Sequence, residues 1–579
     1  MIKNLPAKIS TTITNEFTFG DAEARTDKLL PKCHVPTAAL NELLQDQKDI
    51  ILGHRGTGKS ALVRLLEENI FKFKETEGYK SEVLVLDEEF DYNAIKNHLS
   101  KHALKDQDVS LVCRAVWEIL IIYRLFEKAR SLLAEKDEIL ENHIHEVEAL
   151  LGTSKSKTSL IQILLSHKKK VGIKFDTFHP NIVDTYIGLE PSQDSSSRTE
   201  VAILKIGEYR RHLDKLLGDK GLRIYVLFDR LDDFVIREEY ETQKTLLQEL
   251  LSAQQIYREK SQNIRIKTFF RTDLFERLNL GQFGPDKVLS RCIYLSWKPA
   301  DIKRFIAQRI GYNLLSSLSL SGFEIIVDKD RFFISRDELS LLEESKTMKS
   351  FNPFKRSHWR RILLLASIEL RKKEKNTGRL TDAMDVIHEE IITSIFPRQV
   401  LHRKQNGEQV EIDIFKFIES HLQFANGETT PRAVLSFLDL CLEKIRDYYL
   451  KNGDIKEIEK DQNGELPLFV KVAINRAYTD FRRKSWQVQY QLSKEWAAFV
   501  SVIESLSIKG NFSYEDFKRN AKAADTEARQ FLAFSSHTGL LYCNNPNAKL
   551  SERTYLLPIL FRKCITPEKP DPIEAHSIY

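Results

Sequence analysis

The sequence predicts an α/β protein: a parallel sheet covered by helices on both faces, followed by a helical lid and a C-terminal winged-helix-like domain. Three observations predict it. Short apolar runs, DIIL (49–52), EVLVLD (82–87), RIYVLFD (223–229), RIKTFFR (265–271) and CIYLS (292–296), are separated by stretches of helical spacing. Such runs are strands buried on both sides by crossover helices. The first run empties into GHRGTGKS (53–60) and then ALVRLLEE (61–68), where Leu62, Leu65 and Leu66 share one side of a helix. The last hundred residues carry helical patterns at 495–508, 514–521 and 526–537, then GLLY (539–542), the turn NNPN (544–547) and RTYLLP (553–558). Three helices and a β-hairpin spell a winged helix.

The strand–glycine loop–helix sequence has the GxxxxGK[ST] spacing of a P-loop. The chemistry dictates the residue types. Three glycines let backbone N–H groups turn onto phosphate oxygens, Lys59 supplies a point charge to the β and γ phosphates, and Ser60 offers a hydroxyl to Mg²⁺. The nucleotide-binding set is therefore Gly53, His54, Arg55, Gly56, Thr57, Gly58, Lys59, Ser60 and Ala61. Anhydride cleavage also needs a second acid for Mg²⁺ and a group that orients water. Asp229, ending the third apolar run, fits the acid. Arg230 stands where many ATPases place a glutamate, so the water falls to Asp232 or Asp233, either of which could instead cap the following helix. Arg271 ends the fourth run and either reaches the γ-phosphate or pairs with Asp273. Arg291 precedes the fifth run and either acts on a neighbouring subunit's nucleotide or forms a surface ion pair.

The expected organisation is a core over 1–310 with a helical insertion at 91–219, a helical lid over 311–450 with a mixed segment near 323–327 and a strongly charged helix at 362–375, and the winged-helix-like domain over 451–579. The insertion reads as mostly helical, broken by PSQDSSS (191–197). In parallel sheets the ligand sits at the carboxyl ends of the strands.

With 88 basic and 83 acidic residues the net charge is +5, too balanced to argue for nucleic acid globally. The local candidates are KRSHWRR (355–361) and Arg482, Arg483 and Lys484 with Trp486; the stretch from Lys451 onward counts about nineteen cations and sixteen acids, thin for a DNA reader. His143, His145 and Glu146 look like metal ligands, but a two-residue spacing on a helix sends side chains to different faces. Six scattered cysteines imply neither disulfides nor zinc and fit a cytoplasmic protein. The start lacks an apolar signal segment, and the greasiest helix, near 115–126, is interrupted by Glu118 and Arg124, so no membrane span is expected.

GHRGTGKS, FDRLDD (228–233), FFRTDLFERL (269–278) and TTPR (429–432) resemble the bacterial AAA+/STAND-type P-loop ATPases, in particular a branch near the origin-recognition ATPases. The likeness is tightest over 17–64 and 223–309. It implies a five-stranded core and a lid whose arginine, here Arg432, swings onto the phosphates. It also implies that FTFGDAE (17–23) covers the adenine, and that ATP and Mg²⁺ are the cofactors. A homo-oligomer, with a protein partner or effector and a role in antiviral defence, is the implied setting. One alternative is an initiator- or loader-like ATPase that grips DNA. Another is an ATP-binding switch with little hydrolysis, for which Arg230 is the motive.

Overall fold

The structure is a computed structural model, and it describes residues 17–74, 78–86, 106–133, 137–151, 170–175, 185–190, 202–231, 240–276, 278–317, 326–328, 331–333, 388–389, 392–393, 395–403, 409–424, 427–452, 471–492, 496–507, 510–544 and 549–562. The chain divides into two compact units. One is Ala39–His54 with Lys59–Leu295; the other is Met1–Ala38, Arg55–Gly58 and Ser296–Tyr579.

The first unit runs α1 (Ala38–Leu44), β1 (Ile50–Gly53), α2 (Lys59–Glu67), β2 (Lys80–Leu86), α3 (Asp106–Leu132), α4 (Glu138–Leu151), β3 (Lys170–Phe175), β4 (Thr185–Glu190), β5 (Ala202–Lys205), α5 (Ile206–Asp219), β6 (Leu222–Phe228), α6 (Tyr240–Lys260), β7 (Ile264–Arg271), α7 (Thr272–Phe275), α8 (Pro285–Leu289) and β8 (Cys292–Tyr294). All five expected strands form one all-parallel sheet in the order β2-β6-β7-β1-β8. Alternation explains the unbroken apolar runs. Ile50, Leu52, Ile224, Val226 and Phe228 pack on one face against α3, α5 and α6, while Ile51, Tyr225, Leu227, Phe269 and Ile293 pack on the other against α1 and α2. Long α3 is a core helix: Trp117 sits edge-on to Phe228 and donates its indole N–H to Leu246 O at 2.7 Å. Its Glu118, fully buried, lies 3.4 Å from Arg114. No helix among the described residues is long and apolar enough to cross a membrane.

The described part of the insertion is mostly helical, as expected, in α3, α4 and α5, but it also holds three strands the sequence did not announce. Strands β3, β4 and β5 form a separate antiparallel sheet in which Gly172 faces Gly188. Paired glycines blank the alternation that would mark these strands.

The second unit contains α9 (Pro299–Ser317), β9 (Ile326–Asp328), β10 (Arg331–Phe333), β11 (Gln399–Arg403), β12 (Gln409–Asp413), α10 (Ile414–His421), α11 (Pro431–Asn452), α12 (Lys471–Leu492), α13 (Ala497–Ser507), β13 (Phe512–Ser513), α14 (Tyr514–Ala521), α15 (Asp525–His537), β14 (Tyr542–Asn544), β15 (Thr554–Leu556) and α16 (Ile559–Arg562). The stretch expected to be a helical lid includes two antiparallel hairpins, β9–β10 and β11–β12. The charged helix expected at 362–375 lies outside the described residues. Toward the C-terminus, α13, α14 and α15 match the three expected helices, and β14 pairs with β15 as the expected hairpin. A short strand the sequence did not announce, β13, completes a sheet of order β13-β15-β14. One continuous core, from Phe305 through Phe417, Phe437 and Phe481 to Phe531 and Phe561, joins the lid stretch to these last elements.

Candidate functional site

Strand order fixes where a ligand can enter the first unit. From β1 the chain crosses to the far edge at β2, and from β7 it steps the other way over β1 to β8. The adjacent strands β1 and β7 thus send their connections in opposite directions, the arrangement at whose carboxyl ends open parallel sheets bind ligands. Gly53, the last residue of β1, stands in register with Arg271, the last residue of β7. The next strand along, β6, ends in register with Thr268 and is followed at once by Asp229, whose N–H donates to Leu86 O at 3.2 Å. Three of the expected site residues therefore share one sheet edge because three neighbouring strands end there.

Lys59 opens α2, followed by Ser60 and Ala61. Its buried ammonium donates to Gly53 O at 2.8 Å and His54 O at 3.1 Å, so it is drawn over the start of the loop. Asp229 is also buried. Arg230 follows it with φ of 59°, a left-handed conformation uncommon outside glycine. Asp232 and Asp233 lie outside the described residues, as does the side chain of Asp273.

The loop tip, Arg55–Gly58, groups with the second unit. Gly56 and Gly58 have φ of 86° and 98°, the left-handed region that favours glycine. A Cβ on Gly56 would also lie 3.0 Å from both Arg432 Cβ and Thr430 Oγ1. Arg432, at the start of α11, donates its backbone N–H to Gly56 O at 3.4 Å and its side-chain Nε to Ala22 O at 3.4 Å. The indole of Trp297 donates to Thr57 O at 2.8 Å. The expected adenine-side segment is pinned here too. Buried Arg309 on α9 pairs with buried Asp27 at 2.5 Å and donates to Phe19 O, Asn313 exchanges hydrogen bonds with the Thr18 backbone, and Arg446 reaches Phe17 O at 2.9 Å. Arg432, Ala22 and the loop tip, distant in sequence, thus meet within one unit.

Arg291 is placed differently. It precedes β8, at the amino edge of the sheet, and its guanidinium forks onto Asp49 with Nε–Oδ1 and Nη2–Oδ2 both at 2.9 Å. Arg258 adds a third contact to Asp49 at 2.7 Å. Of the two readings of Arg291, the ion pair is realised within its own chain, although with a mostly buried arginine rather than on the surface.

The nucleic-acid candidates fare unevenly. Arg482 is buried and donates to Leu560 O at 3.0 Å, which makes it a structural residue and corrects its place in a phosphate-binding cluster. Trp486 packs on Phe561, while Arg483 and Lys484 remain exposed. Residues 355–361 lie outside the described residues. On α15 the exposed side carries Glu527, and its cation Arg529 is paired with Asp525 at 2.6 Å. The side chains of His143 and His145 part as their spacing requires, the first buried beside Tyr209 and the second exposed near Glu148. No group of three or more metal-ligating side chains occurs among the described residues.

Sequence reasoning missed Trp297 and Thr430. Trp297 follows the fifth apolar run directly, near the carboxyl end of a strand where ligand-facing residues gather, and that position was the signal available. Chemically, the loop offers left-handed peptides with a lysine at the head of a helix, and an acid ends a strand two places along the sheet. These features suit a phosphate chain and a divalent cation: a Cβ would fill the cradle at Gly56, and the helix start favours negative charge. No family model, no curated protein and no solved structure matches this chain.

Proposed function

We propose that this chain binds and hydrolyses ATP with Mg²⁺, as a switch or assembly ATPase that acts with a partner. The observation that carries the reading is the meeting of Gly53 and Arg271 in register at the strand-order switch, with Asp229 ending the next strand and Lys59 drawn over the loop. Bound Mg²⁺ would supply charge neutralisation for the phosphates. The protein's own parts divide as follows. Loop amides and Lys59 bind the phosphate chain, Ser60 and Asp229 provide oxygen ligands for the metal, and Arg271 faces the terminal phosphate. Asp232 or Asp233 remains our candidate for orienting water, and Arg432 for reading the phosphates. The C-terminal elements α13–α15 with β13–β15 support a winged-helix reading, and the acids on α15 favour a protein partner over a DNA duplex for it. MgATP binding that Lys59→Ala abolishes, followed by phosphate release that Asp229→Ala abolishes, tests the reading.

A further inference from the structure

The peptides at the loop tip are oriented by donors outside the loop. In a trans peptide the C=O and the following N–H point to opposite sides, and every peptide of the described chain is trans. Trp297 Nε1 holds Thr57 O at 2.8 Å, so the Gly58 N–H is turned away from the indole. Arg432 N holds Gly56 O at 3.4 Å, so the Thr57 N–H is turned away from α11. Two successive amides fixed this way, flanked by glycines with positive φ, form the concave donor array that binds anions. The indole is itself held. Its ring meets Phe305 edge-on at 5.6 Å and packs against the core of its unit, and with Ile302, Ile306 and Ile418 it lines a cavity of about 600 Å³.

From this geometry we infer that Trp297 is a positioning residue for the triphosphate: by anchoring the Thr57 carbonyl it presets the Gly58 amide toward the β phosphate. The inference rests on the nucleotide reading above and adds a residue to it. Trp297 touches no reacting atom, and its effect is on binding, because an amide already aimed at phosphate costs no reorganisation when the anion arrives. Losing one such anchor weakens binding by roughly fivefold to tenfold, the range of one hydrogen bond.

The test is titration of MgATP and MgADP onto the full-length wild type and Trp297→Phe, which keeps an aromatic ring but lacks the indole N–H. Trp297→Leu, which also lacks a donor, serves if the first variant does not fold. We expect both nucleotides to bind roughly fivefold to tenfold more weakly, with KM raised and kcat little changed. Two results overturn the role of Trp297 while the wild type binds: a folded variant whose affinity stays within about twofold, or a fall in kcat with KM unchanged. A wild type that binds no nucleotide would instead remove the nucleotide reading, and this role with it.

Discussion

Replacing Gly56 by alanine tests whether the loop tip is built as described. Two costs add at this position. An L side chain at φ of 86° costs about 1–2 kcal/mol. The new Cβ would also stand 3.0 Å from Arg432 Cβ and from Thr430 Oγ1. Arg432 Cβ cannot swing aside without moving the first turn of its helix, so this crowding adds about 1–3 kcal/mol. The total is about 2–5 kcal/mol. Gly78 provides the control, because it has the same φ of 86° but nothing within 4 Å of a new Cβ. Gly78→Ala therefore carries the backbone cost alone. Denaturant melts of the two variants, each read on the transition it shifts, should differ by about 1–3 kcal/mol, and MgATP affinity should fall in Gly56→Ala only. Equal destabilisation of the two, with nucleotide binding intact in both, would refute the packing of Thr430 and Arg432 against the loop.

Two further outcomes follow from buried charge in the second unit. Arg309→Met strands the Asp27 carboxylate, only 2% exposed, and should cost about 3–5 kcal/mol, whereas Asp27→Asn combined with Arg309→Met should recover most of it in a double-mutant cycle. Asp439 is pushed up to about 6, first by burial and then by Asp21, against the pull of Arg309 and Arg446. A carboxyl whose folded pKa is raised contributes stability fully present below its unfolded value, and that contribution is lost as pH rises through about 6. Asp439→Asn should accordingly be more stable than wild type by about 1–2 kcal/mol above pH 7, after discounting for partial solvation. The two should converge near pH 4, and thermal melts across that range decide it.

The sheet was legible because a strand buried on both faces must be apolar at every position, as Ile50, Ile51 and Leu52 are. Lys59, Asp229 and Arg271 were legible for a related reason: a polar residue that ends such a run is set at the carboxyl edge. The partner of Arg291 was not, since its pairing with Asp49 depends on β8 lying beside β1 with Cys292 opposite Ile50, a register no local pattern encodes. The same holds for Trp297, which finds Thr57 across 240 residues of chain. The β3–β5 sheet escaped because its strands are short and its paired glycines carry no alternation, and the β11–β12 hairpin because QVLHR and QVEID, at five residues each, read weakly beside the helices around them.

A glycine turn and Lys59 that grip a triphosphate underlie the whole functional reading. Calorimetric titration of MgATP onto wild type and Lys59→Ala, with thermal melts confirming that both are folded, should show saturable binding of one nucleotide per chain by the wild type and a loss of about 100-fold in the variant, the scale of charge-assisted hydrogen bonds to phosphate. A wild type that takes up no nucleotide, or a folded Lys59→Ala that binds as tightly as wild type, would overturn it.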